Sequence, residues 1–125
     1  MIRILATLLS ITFVTSASAD TSVWKNQRGS MMQLNSTMGS NAVDGYYTNN
    51  APGFPNCAGV PYPLTGTLSG RKIIFTVVWA RLGAQNCHSK TVWKGRMKGK
   101  TITTKWVLTT DSGKVYKGSD AFTRQ

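Results

Sequence analysis

Glutamate is absent from this 125-residue sequence, and its four acids are all aspartate. Histidine occurs once, at His88, and cysteine twice, at Cys57 and Cys87. Groups able to do chemistry are therefore scarce. Asp20 lies near the start of the folding part, and Asp44 and Asp111 sit beside glycine or serine in turn-like contexts. Asp120 is left as the one acid expected to face a site, with no second carboxylate to share general acid–base work. No Ser-His-acid arrangement is visible, so no catalytic residue is expected. Cys57, Cys87 and His88 would give a metal three ligands without a fourth. No metal site is expected, and His88 reads as a solvent-facing loop residue. Long helical periodicity, internal repeats, low-complexity stretches and linkers are also missing.

The longest apolar run, Ile4–Val14, has eleven residues, too few to span a bilayer as a helix. A basic start at Met1–Arg3 precedes it, and the small residues Ala17-Ser18-Ala19 follow. That order is the pattern of a secretory signal peptide. Met1–Ala19 is therefore expected to be a leader cut before Asp20, delivering the chain to an extracellular or periplasmic space. Asp20–Gln125, 106 residues, is expected to fold as one domain. Of the 15 Lys and Arg, only Arg3 falls in the leader, so 14 remain against four Asp, a net charge of +10. Two cysteines allow one pairing, and an oxidising destination favours it. A Cys57–Cys87 bridge would contribute about 3–4 kcal/mol in the chain-entropy view.

Gly, Ser, Asn and Thr punctuate the chain at short intervals, the spacing of an all-β fold. Eight strands are predicted, near Ser22–Lys25, Ser30–Leu34, Asp44–Thr48, Tyr62–Ser69, Arg71–Ala80, Ser89–Met97, Lys100–Leu108 and Val115–Thr123. Ser69-Gly70 and Lys98-Gly99 read as two-residue hairpin turns, and Asp111-Ser112-Gly113 as a longer one. Short turns between successive strands imply an antiparallel, up-and-down β-barrel. The long connection, Asn49 to Pro61, holds Pro52 and Pro55 and reads as a binding loop or lid.

Alternation assigns the faces. One face of the fifth strand carries Ile73, Phe75, Val77 and Trp79. The matching faces of the next two carry Ser89, Thr91, Trp93, Gly95 and Met97, then Ile102, Thr104, Trp106 and Leu108. These are the inner sets, because the opposite faces hold the charges. Three indoles in phase with small hydroxyls fit a cavity with flat walls and a few polar groups. They equally fit a filled core whose hydroxyls bond to backbone, and composition does not choose between the two.

Seven motifs in order extend the reading: Trp24-Lys25-Asn26-Gln27-Arg28-Gly29-Ser30, Gly45-Tyr46-Tyr47, Tyr62-Pro63-Leu64-Thr65-Gly66, Phe75-Thr76-Val77-Val78-Trp79, Ser89-Lys90-Thr91-Val92-Trp93-Lys94-Gly95, Thr104-Lys105-Trp106 and Gly118-Ser119-Asp120-Ala121-Phe122. In these the chain resembles the avidin and streptavidin family, above all its short-chain dimeric members of the rhizavidin type. The resemblance implies an eight-stranded barrel that binds biotin without catalysis and without a cofactor. It implies that Asn26, Ser30 and Tyr47 donate to the ureido oxygen. Asp120 would accept one ureido N–H and Asn49 the other. Thr91 would touch the thioether, Ser89 the valerate carboxylate, and Trp79, Trp93 and Trp106 would form the walls. The tetrameric members borrow a further tryptophan from a neighbouring subunit; here none follows Trp106, and Tyr116 is the only large aromatic in Lys114–Lys117. The short-chain members lack it too and carry a cysteine pair in the corresponding loops.

Ile74, Val78, Val92 and Val107 point outward on three consecutive strands and are expected to join two copies as a homodimer. Lys90, Lys94, Arg96 and Lys98 form a basic outer line. With no aromatic residues interleaved, it reads as a solvated face and not a specific nucleic-acid site. Two other functions remain open at this point: the same barrel with a different small ligand, and a cationic secreted protein acting on anionic polymers.

Overall fold

Eight antiparallel strands follow one another around a closed ring in the computed structural model, which describes residue 11 and residues 19–53, 57–80 and 87–125. They are β1 (Ala19–Asn26), β2 (Met31–Thr37), β3 (Ala42–Thr48), β4 (Pro61–Ser69), β5 (Lys72–Ala80), β6 (His88–Lys98), β7 (Thr101–Thr110) and β8 (Val115–Arg124). The last strand returns to the first through Trp24↔Arg124, Lys25↔Thr123 and Asn26↔Phe122, which closes the barrel. The expected leader lies outside the described residues except for Ile11 and Ala19, the residue that opens β1.

All eight expected strands are present, most of them longer at one end or both. Two turns move by one residue. Ser69 pairs with Lys72 and Lys98 with Thr101, so the loops are Gly70-Arg71 and Gly99-Lys100. The glycines, each with φ of 59°, occupy the first loop position. Hairpin turns that match strand twist need a positive φ there. His88 is likewise no loop residue: it opens β6, although its side chain is exposed as expected.

The inner faces are as alternation assigns them. Ile73, Phe75, Val77 and Trp79 are all buried, as are Thr91, Trp93, Ile102, Thr104 and Trp106. The barrel has two unlike ends. Trp24, Met32, Leu34, Val43, Leu64, Ile73, Ile102 and Phe122 fill one end to exclusion of solvent. Trp79, Trp93 and Trp106 lie toward the other, which is hollow. Phe75 stacks on Trp93 at 4.8 Å and 13°, so one indole both roofs the core and floors the cavity. Both readings of the tryptophans therefore hold, at different depths of one barrel.

Gly45 sets how closely β2 and β3 approach. A Cβ there would lie 1.8 Å from the Gln33 carbonyl oxygen, and φ is +150°. Gly39, in a turn with φ of +83°, has nothing within 4 Å. Gly45→Ala should cost about 3 kcal/mol or more, against about 1 kcal/mol for Gly39→Ala. Urea midpoints at unchanged m-value measure both; equal losses would refute the close-approach argument.

Candidate functional site

The hollow end is a cavity of about 630 Å³ lined by residues from β1, β3, β5, β6, β7, β8 and their loops. All ten expected pocket residues line it: Asn26, Ser30, Tyr47, Asn49, Trp79, Ser89, Thr91, Trp93, Trp106 and Asp120.

A tight turn after β1 orients the first group. Asn26 Oδ1 accepts from the backbone N–H groups of Arg28 at 3.0 Å and Ser30 at 2.9 Å. Two backbone donors on the oxygen fix which way the amide faces. Its Nδ2 then donates to the Tyr47 hydroxyl oxygen at 3.3 Å, leaving the phenolic hydrogen for another acceptor. Tyr47 is wedged between Trp79 and Trp93, with ring centroids 5.7 and 4.7 Å away. Burial, with the nearby Asp120 charge adding to it, pushes the Tyr47 phenol well above its ordinary range; Ser30 and Arg28 act the other way. It is therefore a hydrogen-bond donor throughout the neutral range.

Ser30 Oγ donates to Asn49 Oδ1 at 3.2 Å and accepts the Asn50 N–H at 3.0 Å. Asn49 Oδ1 also accepts the Ala51 N–H at 3.1 Å. The long loop is thus tied to the floor of the site where it leaves β3. Gly59 N–H to Asn49 O at 3.0 Å draws its two ends together. Cys57 and Cys87 are bridged, with Cα atoms 5.3 Å apart, joining this loop to the start of β6. Cys87 is fully buried beside the Tyr62 hydroxyl, 3.2 Å from its sulfur.

Asp120 faces inward from β8. Its Oδ2 accepts the Trp93 indole N–H at 2.9 Å, and its Oδ1 accepts Gln27 Nε2 at 3.1 Å. Gln27 holds β8 twice more, donating to Ser119 O at 3.1 Å and accepting the Ala121 N–H at 2.9 Å. Arg28 Nε lies 3.8 Å from Asp120 Oδ1, and its guanidinium sits over the Trp106 ring at 5.7 Å. Trp106 lies flat against the wall because Gly118 faces it: a Cβ there would come within 2.3 Å of the indole. The Trp79 indole donates to Thr91 Oγ1 at 2.8 Å, which leaves the threonine hydrogen to donate onward.

Gln27 and Arg28 belong to the site as well, which the sequence reading does not include. Both stand in the Trp24–Ser30 motif, and their place beside Asn26 was the available signal. Asp111, read as an ordinary turn residue, also lines the cavity mouth, with Lys114 and Tyr116. Strand β7 runs on to Thr110 and carries that turn up to the rim. Among the described residues no group of His, Cys, Asp and Glu could hold a metal ion, and no helix is long and apolar enough to cross a membrane.

The sequence profile of the Avidin family matches residues 15–125. Afifavidin of Afifella pfennigii is 46% identical over 112 residues, covering 84% of this chain and 69% of afifavidin. The crystal structure of a short afifavidin–biotin complex superposes with a TM-score of 0.74 at 46% identity, covering 84% of this chain and 88% of that one. The crystal structure of a rhizavidin–biotin complex gives 0.75 at 36% identity, covering 85% and 92%.

The raised Tyr47 phenol makes a pH prediction. Its folded pKa exceeds its unfolded value, so its contribution to stability is complete below about pH 10 and is lost as the pH climbs beyond it. Phenolate absorbance of wild type minus Tyr47→Phe should show no ionisation of this residue at about pH 10. A phenolate signal there would contradict its burial against Asp120.

Proposed function

This chain belongs to the avidin family, and from that premise we propose that it binds biotin non-covalently, as a ligand and not a cofactor, in the hollow end of its barrel. Members of the family bind biotin and are not enzymes. The observation that carries the reading is a buried carboxylate and a set of hydrogen-bond donors lining one indole-walled cavity. A cyclic urea has the complementary pattern, one acceptor oxygen and two N–H donors.

The Tyr47 hydroxyl and Asn26 Nδ2 are pre-aimed to donate to the ureido oxygen. Ser30 adds a third donor by turning its hydroxyl hydrogen from Asn49 to the ligand. Asp120 accepts one ureido N–H, and Asn49 takes the other. The Thr91 hydrogen, left over from the Trp79 bond, meets the thioether sulfur. Trp79, Trp93 and Trp106 cover the apolar faces of the ring system. The valerate carboxylate reaches the mouth at Ser89 and the backbone amides after Asn49. Charge-assisted hydrogen bonds in a dry aromatic site are the strong kind. A scaffold already in place, braced by Cys57–Cys87, keeps ordering costs low.

The disulfide and the leader-like Met1–Ala19 segment support export to an extracellular or periplasmic space. The mature domain is then Asp20–Gln125. Outward on the barrel, Ile74, Val78 and Val107 are exposed, and Val92 is half-buried directly opposite Val107. These four form the core of a homodimer interface. Lys94 and Lys105 pair with each other across strands in the next row, beside Ile74. Two copies meeting here bring like charges together, so salt should favour the dimer.

Calorimetry at micromolar biotin should show one site per chain; absence of heat would end this reading. Asp120→Ala should weaken binding by about 3 kcal/mol, seen as faster release, and an unchanged release rate would remove Asp120 from its role. Light scattering at micromolar protein should give a dimer mass that Val78→Lys lowers to the monomer. A monomer in the wild type would refute the interface.

A further inference from the structure

Arg28 is the one cation placed against the carboxylate of the site among the described residues. It comes from the turn after β1, and its backbone N–H already serves Asn26. Its side chain therefore reaches into the cavity independently of the backbone's structural task. The guanidinium lies over Trp106 at 5.7 Å, with Nε 3.8 Å from Asp120 Oδ1. The distance exceeds a direct hydrogen bond, so the pair acts chiefly through charge. Asp120 is 5% exposed and Arg28 37%, so the carboxylate is shielded while the cation is partly wet.

Without Arg28, the wall would present a carboxylate held only by neutral donors, Trp93 and Gln27. Such a group attracts cationic N–H donors, amidinium or guanidinium, above neutral ones. We infer that Arg28 adds to the charge specificity of this pocket, beside the donor set of Asn26, Ser30 and Tyr47: by offsetting Asp120 it weakens the hold on a cationic N–H donor relative to a neutral one. The position of the ligand N–H beside Asp120 rests on the biotin reading. The two charges also act oppositely on the Tyr47 hydroxyl, Asp120 raising its pKa and Arg28 lowering it, so the field of Arg28 extends across the site. A cation–π contact with Trp106, 5.7 Å from the ring centroid, favours this position of the guanidinium.

The test pairs biotin with its cyclic guanidine analogue, in which an imino nitrogen replaces the ureido oxygen and the ring is cationic at neutral pH. Dissociation constants for both are measured at low salt for the wild type, Arg28→Leu and Arg28→Lys. Leucine keeps an apolar cover on Trp106, and lysine keeps the charge. Arg28→Leu should narrow the preference for biotin over the analogue about tenfold, a modest factor because the cation is partly exposed. Arg28→Lys should keep most of the preference, and added salt should erode it in the wild type. A preference that is the same in Arg28→Leu as in the wild type overturns the inference, leaving Arg28 as packing on Trp106. The headgroup fragments imidazolidin-2-one and its cationic 2-imino analogue, followed by the indole N–H resonances, separate this from the biotin reading. If biotin itself fails to bind, that reading falls, and the fragments still decide. A neutral preference lost in Arg28→Leu supports the role, and the same response in both proteins ends it.

Discussion

The Asp120 carboxylate is the constraint around which the binding end of this barrel is organised. A buried anion is tolerated only where its oxygens find donors, and here they come from two places in the chain. The Trp93 indole reaches it from β6, Gln27 from the turn after β1, and the Arg28 charge stands close behind. Meeting those needs also joins β8 to the β1–β2 turn near the seam where the barrel closes. That seam is the shortest ladder in the sheet, three residue pairs against seven between β1 and β2. Gln27 reinforces it with bonds to Ser119 and Ala121. Charge satisfaction and barrel closure are thus one arrangement.

The same economy holds around the rest of the site. Asn26 is oriented by two backbone N–H groups of its own turn before it offers an N–H to Tyr47. Trp79 commits the Thr91 oxygen and so directs what remains of that hydroxyl. Among the described residues no buried side-chain polar atom is left without a partner. The site is therefore held in shape by its own hydrogen bonds, the condition under which a binding scaffold avoids ordering costs. The filled end supplies rigidity from below, through the Phe75–Trp93 stack.

Much of this was legible in the residues because β structure writes its faces into the sequence with a period of two. Alternation alone places Ile73, Phe75, Val77 and Trp79 inward, since Lys72 marks the other face. The hairpin glycines marked the turns, though not their register: Ser69-Gly70 was one residue early because the turn's dihedral requirement, and not the identity of the dipeptide, decides which residues leave the ladder. Order and spacing of seven motifs carried the family. Gln27 and Arg28 were not read as site residues, because the partner each one meets, Asp120, lies more than ninety positions away.

By itself, then, the sequence determined the all-β class, the strand order, the inward faces, the single possible cysteine pairing and the family. All of these depend on local pattern or on motif order along the chain. Tertiary structure decided how the interior is divided. Trp93 is core on one side and cavity wall on the other, and no periodicity distinguishes those roles, since both are simply inward. It also decided the electrostatics of the pocket. Whether Arg28 points to solvent or to Asp120 depends on closing the ring between β8 and β1, and only the folded barrel brings those two charges within 3.8 Å.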